Sequence, residues 1–140
     1  MTSNELKDLA ARFVEQVINN GDLERAEEYF TPDYDEHAAP PGLPPGTAGL
    51  KAFLGMFRAA FPDMHFTLED SIAEGDRVAQ RFTVHATMQA PFLGMPATGK
   101  SATWSEIHVV RAHGDKFVEH WATVDQLGML QQLGLAPIPG

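Results

Sequence analysis

The chain of 140 residues contains no cysteine, which removes disulfides, thiolate metal sites and cysteine nucleophiles together. It is poor in positive charge: 10 Lys and Arg stand against 19 Asp and Glu, a net −9 with histidines neutral. Such a balance repels nucleic acid and anionic membrane surfaces and leaves neutral small molecules or proteins as partners. No apolar run approaches the roughly 20 residues that cross a bilayer. The opening MTSNELKDLAARF has an early acid and amphipathic spacing, where a secretory signal has a basic region and then an apolar one. A soluble, cytoplasmic protein is expected. The sequence has no GxSxG elbow, GxGxxG turn or phosphate loop, and its histidines show no HxH, HxxxH or HExxH spacing. The usual signatures of serine hydrolases, nucleotide sites and metal centres are thus missing. No metal and no cofactor are expected, which leaves acid/base work by side chains or simple binding.

What is present is the composition of one globular domain spanning residues 1–140, 44% hydrophobic and 21% charged. Leu6, Leu9, Ala10, Phe13, Val14, Val17 and Ile18 recur at helical spacing, predicting a helix over Glu5 to Ile18 with Thr2 and Glu5 as its capping box and Asn20-Gly21 as its stop. A second short helix fits Leu23 to Phe30, capped by Asp22 and ended by Thr31-Pro32. From Asp33 to Gly46 the Pro and Gly content predicts a surface loop, with PPGLPPG at its heart. Thr47 is placed to cap a third helix bearing Leu50, Phe53, Leu54, Phe57 and Phe61, which Pro62 breaks. Beyond it the period changes to two. Segments 64–73 and 77–88 flank the turn EGDR, and 101–112 and 116–125 flank HGDK, predicting two hairpins joined by the loop QAPFLGMPATGK. A last helix is expected from Gln126 to Leu133. Three helices followed by antiparallel strands describe an α+β domain: a cone-shaped, curved antiparallel sheet whose helices enclose a pocket.

Chemistry is therefore sought on inward strand faces. On the last strand Phe117, Glu119, Trp121, Thr123 and Asp125 share one face by alternation and Val118, His120, Ala122 and Val124 the other. Asp125 has two readings: the N-cap of the final helix, or a general acid/base whose pKa is raised by an apolar wall beside Trp121. His120, of opposite parity, is expected outside the pocket that holds Asp125. On the neighbouring strand Trp104, Glu106, His108 and Val110 share a face. If it looks inward, His108 is placed to bond Asp125 or polarise a substrate carbonyl. His37 can lean in from the Pro/Gly loop, while Asp33, Asp35 and Glu36 read as a solvated charge cluster. Arg81 and His85 share a strand face, with a surface ion pair the plainer role for Arg81.

Taken together, His37 followed by the Pro/Gly loop, GLKAFLGMFRAAFPD, EDSIAEGDRVAQRF, FLGMPATGK and DKFVEHWATVDQLGMLQQLG resemble the SnoaL-like polyketide cyclases, within the nuclear transport factor two-like cone fold shared with ketosteroid isomerase. The resemblance covers nearly the whole chain. It implies an intramolecular aldol condensation closing a ring of an aromatic polyketide methyl ester without metal or cofactor. It also implies that the Asp of the W-x-x-x-D pattern, here Trp121 to Asp125, is the general acid/base, with His37 and His108 as polar groups of the pocket. Trp104, Trp121, Phe92 and Phe57 are then apolar walls, and Glu106 and Arg81 are polar contacts. Where many relatives carry a histidine this chain has Met88, making that wall more apolar. Two alternatives remain: isomerisation, epoxide opening or dehydration in the same cone, or a ligand-binding protein in which Asp125 only caps. Because both faces of the last strand carry apolar residues, a homodimer or homotetramer paired through the outer sheet face is expected.

Overall fold

In the computed structural model, which describes residues 1–139, Thr2 opens the first helix as a capping box: the Glu5 amide donates to its hydroxyl at 3.1 Å, and its own amide donates to the Glu5 carboxylate at 2.9 Å. The helix α1 (Ser3–Phe13) runs on through a wide π-helical turn, Val14–Asn19. Its apolar stripe from Leu6 to Ile18 is buried. Gly21, at φ +75°, supplies the left-handed exit. The second expected helix is shorter than predicted: a 3₁₀ turn, Leu23–Arg25, leads into α2 (Ala26–Tyr29), and Asp22 makes no side-chain cap.

The chain then departs from the sequence expectation. Phe30 already belongs to a strand, β1 (Phe30–Glu36), which occupies the start of the expected loop and pairs in parallel with the last strand. Pro32 is tolerated because β1 is an edge strand, where a missing N–H costs no ladder bond. Its buried members Phe30 and Tyr34 carry the alternation that anchors it. The third helix, α3 (Gly46–Ala60), starts after Pro45, and Thr47 lies buried inside its first turn and does not cap it. Gly46 is required there: a Cβ would stand 1.9 Å from the Pro32 carbonyl oxygen.

The strands β2 (His65–Glu74), β3 (Arg77–Thr87), β4 (Ser101–His113) and β5 (Lys116–Val124) form two hairpins turning at Gly75 and Gly114, as predicted. With β1 they make one open, mixed sheet of order β1-β5-β4-β3-β2. Bulges interrupt the register between Leu68 and Asp70 and between Arg111 and Ala112, and bulges bend and twist the strands that carry them. A continuous apolar core joins α1, α2 and α3 to the inner sheet face. The final helix, α4 (Gln126–Gln132), is tied to β4 by Gln132, whose amide bonds the Thr103 N–H at 2.8 Å and carbonyl at 2.7 Å. No helix among the described residues is long and apolar enough to cross a membrane.

Candidate active site

Between α1, α3 and the inner sheet face lies a cavity of about 480 Å³. One wall is aromatic. Phe57 and Phe92 meet edge to face at 5.4 Å, and Trp104 lies 6.4 Å from Phe57. Phe92 is delivered by the loop after β3, which is pinned to the end of α3 by the Gln89 and Ala90 amides donating to the Ala60 carbonyl. A second concavity, a shallow groove along α1 past Glu5, Asp8 and Arg12, gathers no buried polar group and stands apart from this cavity.

The opposite wall is polar, and the register explains why. On β4 the inward residues are Ala102, Trp104, Glu106, His108, Val110 and Ala112, all but His108 fully buried. Val110 pairs with His120 and His108 with Ala122, but Ala112 pairs with Phe117. The extra residue of the bulge lets Phe117 and His120 both point inward, although strict alternation separates them. His120 therefore faces the cavity and Trp121 faces away; His120 and Asp125 keep the opposite parity expected, with Asp125 on the side that looks outward. The parallel pairing of β1 sets Glu36 opposite His120.

These placements build one hydrogen-bonded chain across the inner face. The Trp104 indole N–H donates to Glu106 Oε2 at 2.7 Å. Glu106 Oε1 lies 2.7 Å from His108 Nε2, His108 Nδ1 lies 2.8 Å from His120 Nε2, and His120 Nδ1 lies 2.6 Å from Glu36 Oε2. The Tyr34 hydroxyl closes the far end on Glu36 Oε1 at 2.8 Å, and the Ala38 amide donates to Oε2 at 3.0 Å. Burial raises the pKa of the Tyr34 phenol, as does the neighbouring Glu36 charge, so it stays protonated and donates. For Glu36 burial pushes upward, but the hydrogen bonds from His120, Tyr34 and Ala38 outweigh it and hold the carboxyl below its ordinary range. Burial lowers His120 despite the attraction of Glu36.

Making all three hydrogen bonds at once sets a proton count for this chain. Each of its three links, Glu106–His108, His108–His120 and His120–Glu36, needs one proton. Two neutral imidazoles carry only two, so the chain holds one more. With Glu36 ionised and His120 neutral, His120 donates from Nδ1 and accepts at Nε2 from His108 Nδ1. The additional proton then lies on the Glu106–His108 pair, as imidazolium with carboxylate or imidazole with carboxylic acid. The rings of Phe82 and Phe66 lie 5.5 and 6.2 Å from the His108 centroid and flank this pair.

The other candidate residues lie elsewhere. Asp125 is the N-cap of α4: its Oδ1 accepts from the Gly128 amide at 3.0 Å, and its exposed side chain does not line the cavity. His37 sits on the outer face, 2.8 Å from Glu119 Oε2 and stacked on Trp121 with centroids 5.0 Å apart. Arg77 lies over the same indole at 5.3 Å, and Arg111 donates to Glu119 Oε1 at 2.8 Å. Bonds from Arg111, and then His37, hold Glu119 below the usual carboxylate range. Asp35, His37 and Glu119 bring three metal-ligating atoms within 4.8 Å of one another, a grouping that no sequence spacing revealed, on a face where Arg111 and His37 already engage Glu119. Arg81 pairs with Asp70 on the exposed sheet surface at 3.0 Å. Met88 is wholly buried in the core behind the site. Thus Glu106, His108, Trp104, Phe57 and Phe92 come together around the cavity, whereas Asp125, His37, Trp121, Arg81 and Met88 do not line it. Glu36 and His120 complete the chain from positions that alternation and composition had set aside.

A family model, SnoaL-like polyketide cyclase, matches residues 8–133. The chain belongs to this family. Among this SnoaL-like protein's curated relatives is the nogalonic acid methyl ester cyclase of Streptomyces nogalater, 28% identical over 120 residues that cover 84% of this chain and 90% of that one. Among solved structures, TsrD from Streptomyces laurentii superposes with a TM-score of 0.88 at 26% identity, covering 97% of this chain and 99% of that one. IdmH from Streptomyces antibioticus is 34% identical at a TM-score of 0.80, covering 92% and 98%. The cone fold and the family read from the sequence are therefore those of the molecule.

Proposed function

We propose that this SnoaL-like protein closes a ring of an aromatic polyketide-type carbonyl compound by intramolecular aldol condensation, with the Glu36–His120–His108–Glu106 chain exchanging the protons. The observation that carries this reading is the continuous chain of short hydrogen bonds, with a glutamate at each end, set in the wall of a largely apolar cavity. An aldol closure needs a base at one atom and an acid at another. Glu36, ionised, takes the proton from a carbon flanked by carbonyls, and the C–H electron pair passes into the enolate. The enolate carbon forms the new C–C bond to a second carbonyl carbon of the same molecule, and that C=O π pair moves onto oxygen. The oxygen receives the proton of the Glu106–His108 pair. Glu36 then releases the proton it gained to solvent and the Glu106–His108 pair takes one up, so the starting state is restored and no net proton is consumed. Such positioned transfers each contribute about 10²–10⁴-fold to rate. The proton exchange that the family resemblance assigns to Asp125 is placed here on the chain, because the Asp125 carboxylate is engaged with Gly128 outside the cavity lining.

The test is incubation with an anthraquinone-type polyketide methyl ester, following ring closure by absorbance and chromatography. Wild type and Asp125→Asn are expected to turn over, since Asn caps about as well as Asp, while Glu106→Gln is expected to lose at least about 10²-fold. No turnover by wild type would remove the cyclase reading. Loss in Asp125→Asn with Glu106→Gln active would return the proton to Asp125. The same reading includes a homodimer formed through the outer sheet face, where Ile107 and Ile72 are exposed. Light scattering reporting a monomer at micromolar concentration would refute that pairing.

A further inference from the structure

Gln80 lies on β3 directly across from His108, with its side chain on the inner face. It is 4% exposed, and its Nε2 has no hydrogen-bond partner. Buried amide donors are nearly always paired, because leaving one unpaired costs stability that no other contact recovers. Here the residue that carries the orphan donor lines the cavity beside His108; Nε2 itself is closed off, and a half-turn of the terminal amide, a soft torsion, brings it to the cavity side. Its neighbours on the same strand face, Val78 and Phe82, are apolar and fully buried, so they offer no acceptor. With the amide turned, a cavity-bound ligand supplies the acceptor.

We infer that Gln80 is a substrate-binding residue whose Nε2 donates to the carbonyl oxygen of a cavity-bound aromatic ketone. Resting on the function proposed above, this makes Gln80 the group that holds the acceptor carbonyl next to Glu106–His108 and stabilises the oxyanion formed as the C–C bond closes. A donor aimed where negative charge develops lowers the barrier without changing the proton balance of the chain. The inference also narrows the ligand. None of the cavity-lining residues is Lys or Arg, while Glu36, Glu106, Asp33 and Asp35 all contribute to the lining. A neutral carbonyl is accordingly favoured over a free carboxylate or phosphate.

A matched pair of rigid probes isolates this contact without any turnover: 9-fluorenone, which has one ring carbonyl, and fluorene, which has the same frame without it. Calorimetric titration of wild type is expected to give about ten-fold tighter binding of 9-fluorenone, the size of one buried hydrogen bond. In Gln80→Met, which keeps length and loses both donors, the ratio is expected to fall to about one, and the bound carbonyl stretch should rise toward its value in an apolar solvent. Because the replaced donor is unpaired, thermal unfolding of Gln80→Met should not move downward; should it fail to fold, Gln80→Leu serves as the second variant. Equal binding of the two probes by wild type, or a preference that survives in the variant, would overturn the assignment. If the preference follows Gln80 but wild type closes no ring, the donor stands and the cyclase reading fails.

Discussion

On β4 and β5 the inner face presents Glu106, His108 and His120, and the outer face presents Arg111, Glu119 and Trp121 with His37 stacked alongside. Both faces therefore join histidine to glutamate through bonds of 2.7–2.8 Å, with a tryptophan hydrogen-bonded on the inner face and stacked on the outer one. Their surroundings differ. The outer cluster has two arginines and open solvent, so its charges are neutralised locally and screened. The inner cluster has no lysine or arginine, has phenylalanine rings against His108, and has a glutamate at each end. Protons are confined to its links, and moving one changes the charge of the site. One kind of side chain thus serves as surface scaffold or as proton carrier according to the face it occupies.

The difference can be broken most sharply by paired substitutions. Glu106→Gln on the inner face should lower turnover by at least about 10²-fold, whereas Glu119→Gln on the outer face should leave it within about two-fold, surface substitutions being worth within about 0.5 kcal/mol. Equal losses from the two would erase the distinction. Acidification should act mainly through the inner face. His120 is held below its ordinary 6.5 and Glu36 below 4.5. Both folded-state values are depressed, so the unfolded chain binds protons that the folded protein refuses. The stability contributed by these two groups is fully present above about pH 6.5, declines as the pH falls through the His120 range, and declines again as Glu36 is protonated. Thermal midpoints that stay flat from pH 7 to pH 5 would contradict the burial of His120.

A smaller effect separates capping from catalysis. Asp125→Ala should cost about 1 kcal/mol, the loss of one N-cap bond, lowering the thermal midpoint by about 3 °C in a chain of this size. Asp125→Asn should be neutral in both stability and turnover. The smallest effect is expected at His37→Ala, which removes an exposed stack and one surface ion pair and should move the midpoint by no more than about 2 °C.

Much of this was readable before any coordinates. Thr2 and Glu5 announced the first helix because capping is local, EGDR and HGDK announced the hairpins because turn chemistry is local, and the motif set gave the family. The inward face of β4 was recognised as a unit, Trp104 to Val110. What escaped depended on neighbours distant in sequence. Pro32 masked β1, since a proline is acceptable in a strand only if that strand is an edge, and being an edge is a property of the whole sheet. Glu36 consequently passed for solvated charge. His120 and Asp125 do lie on opposite sides of the strand, as alternation requires, but it is the His120 side that looks inward, which is decided by how the whole sheet is covered by helices. Gln80 attracted no notice, since an amide is significant only when buried and unpartnered.

The central claim, that the inner chain holds three protons in three links with the additional one at Glu106–His108, is most directly tested by nuclear magnetic resonance of protein with ¹⁵N-labelled histidine rings at neutral pH. The expected result is a neutral His120 protonated at Nδ1, with a scalar coupling across the hydrogen bond between His108 Nδ1 and His120 Nε2, and with both signals abolished or displaced in Glu106→Gln. Two rings that titrate independently with ordinary midpoints and no coupling between them would contradict it.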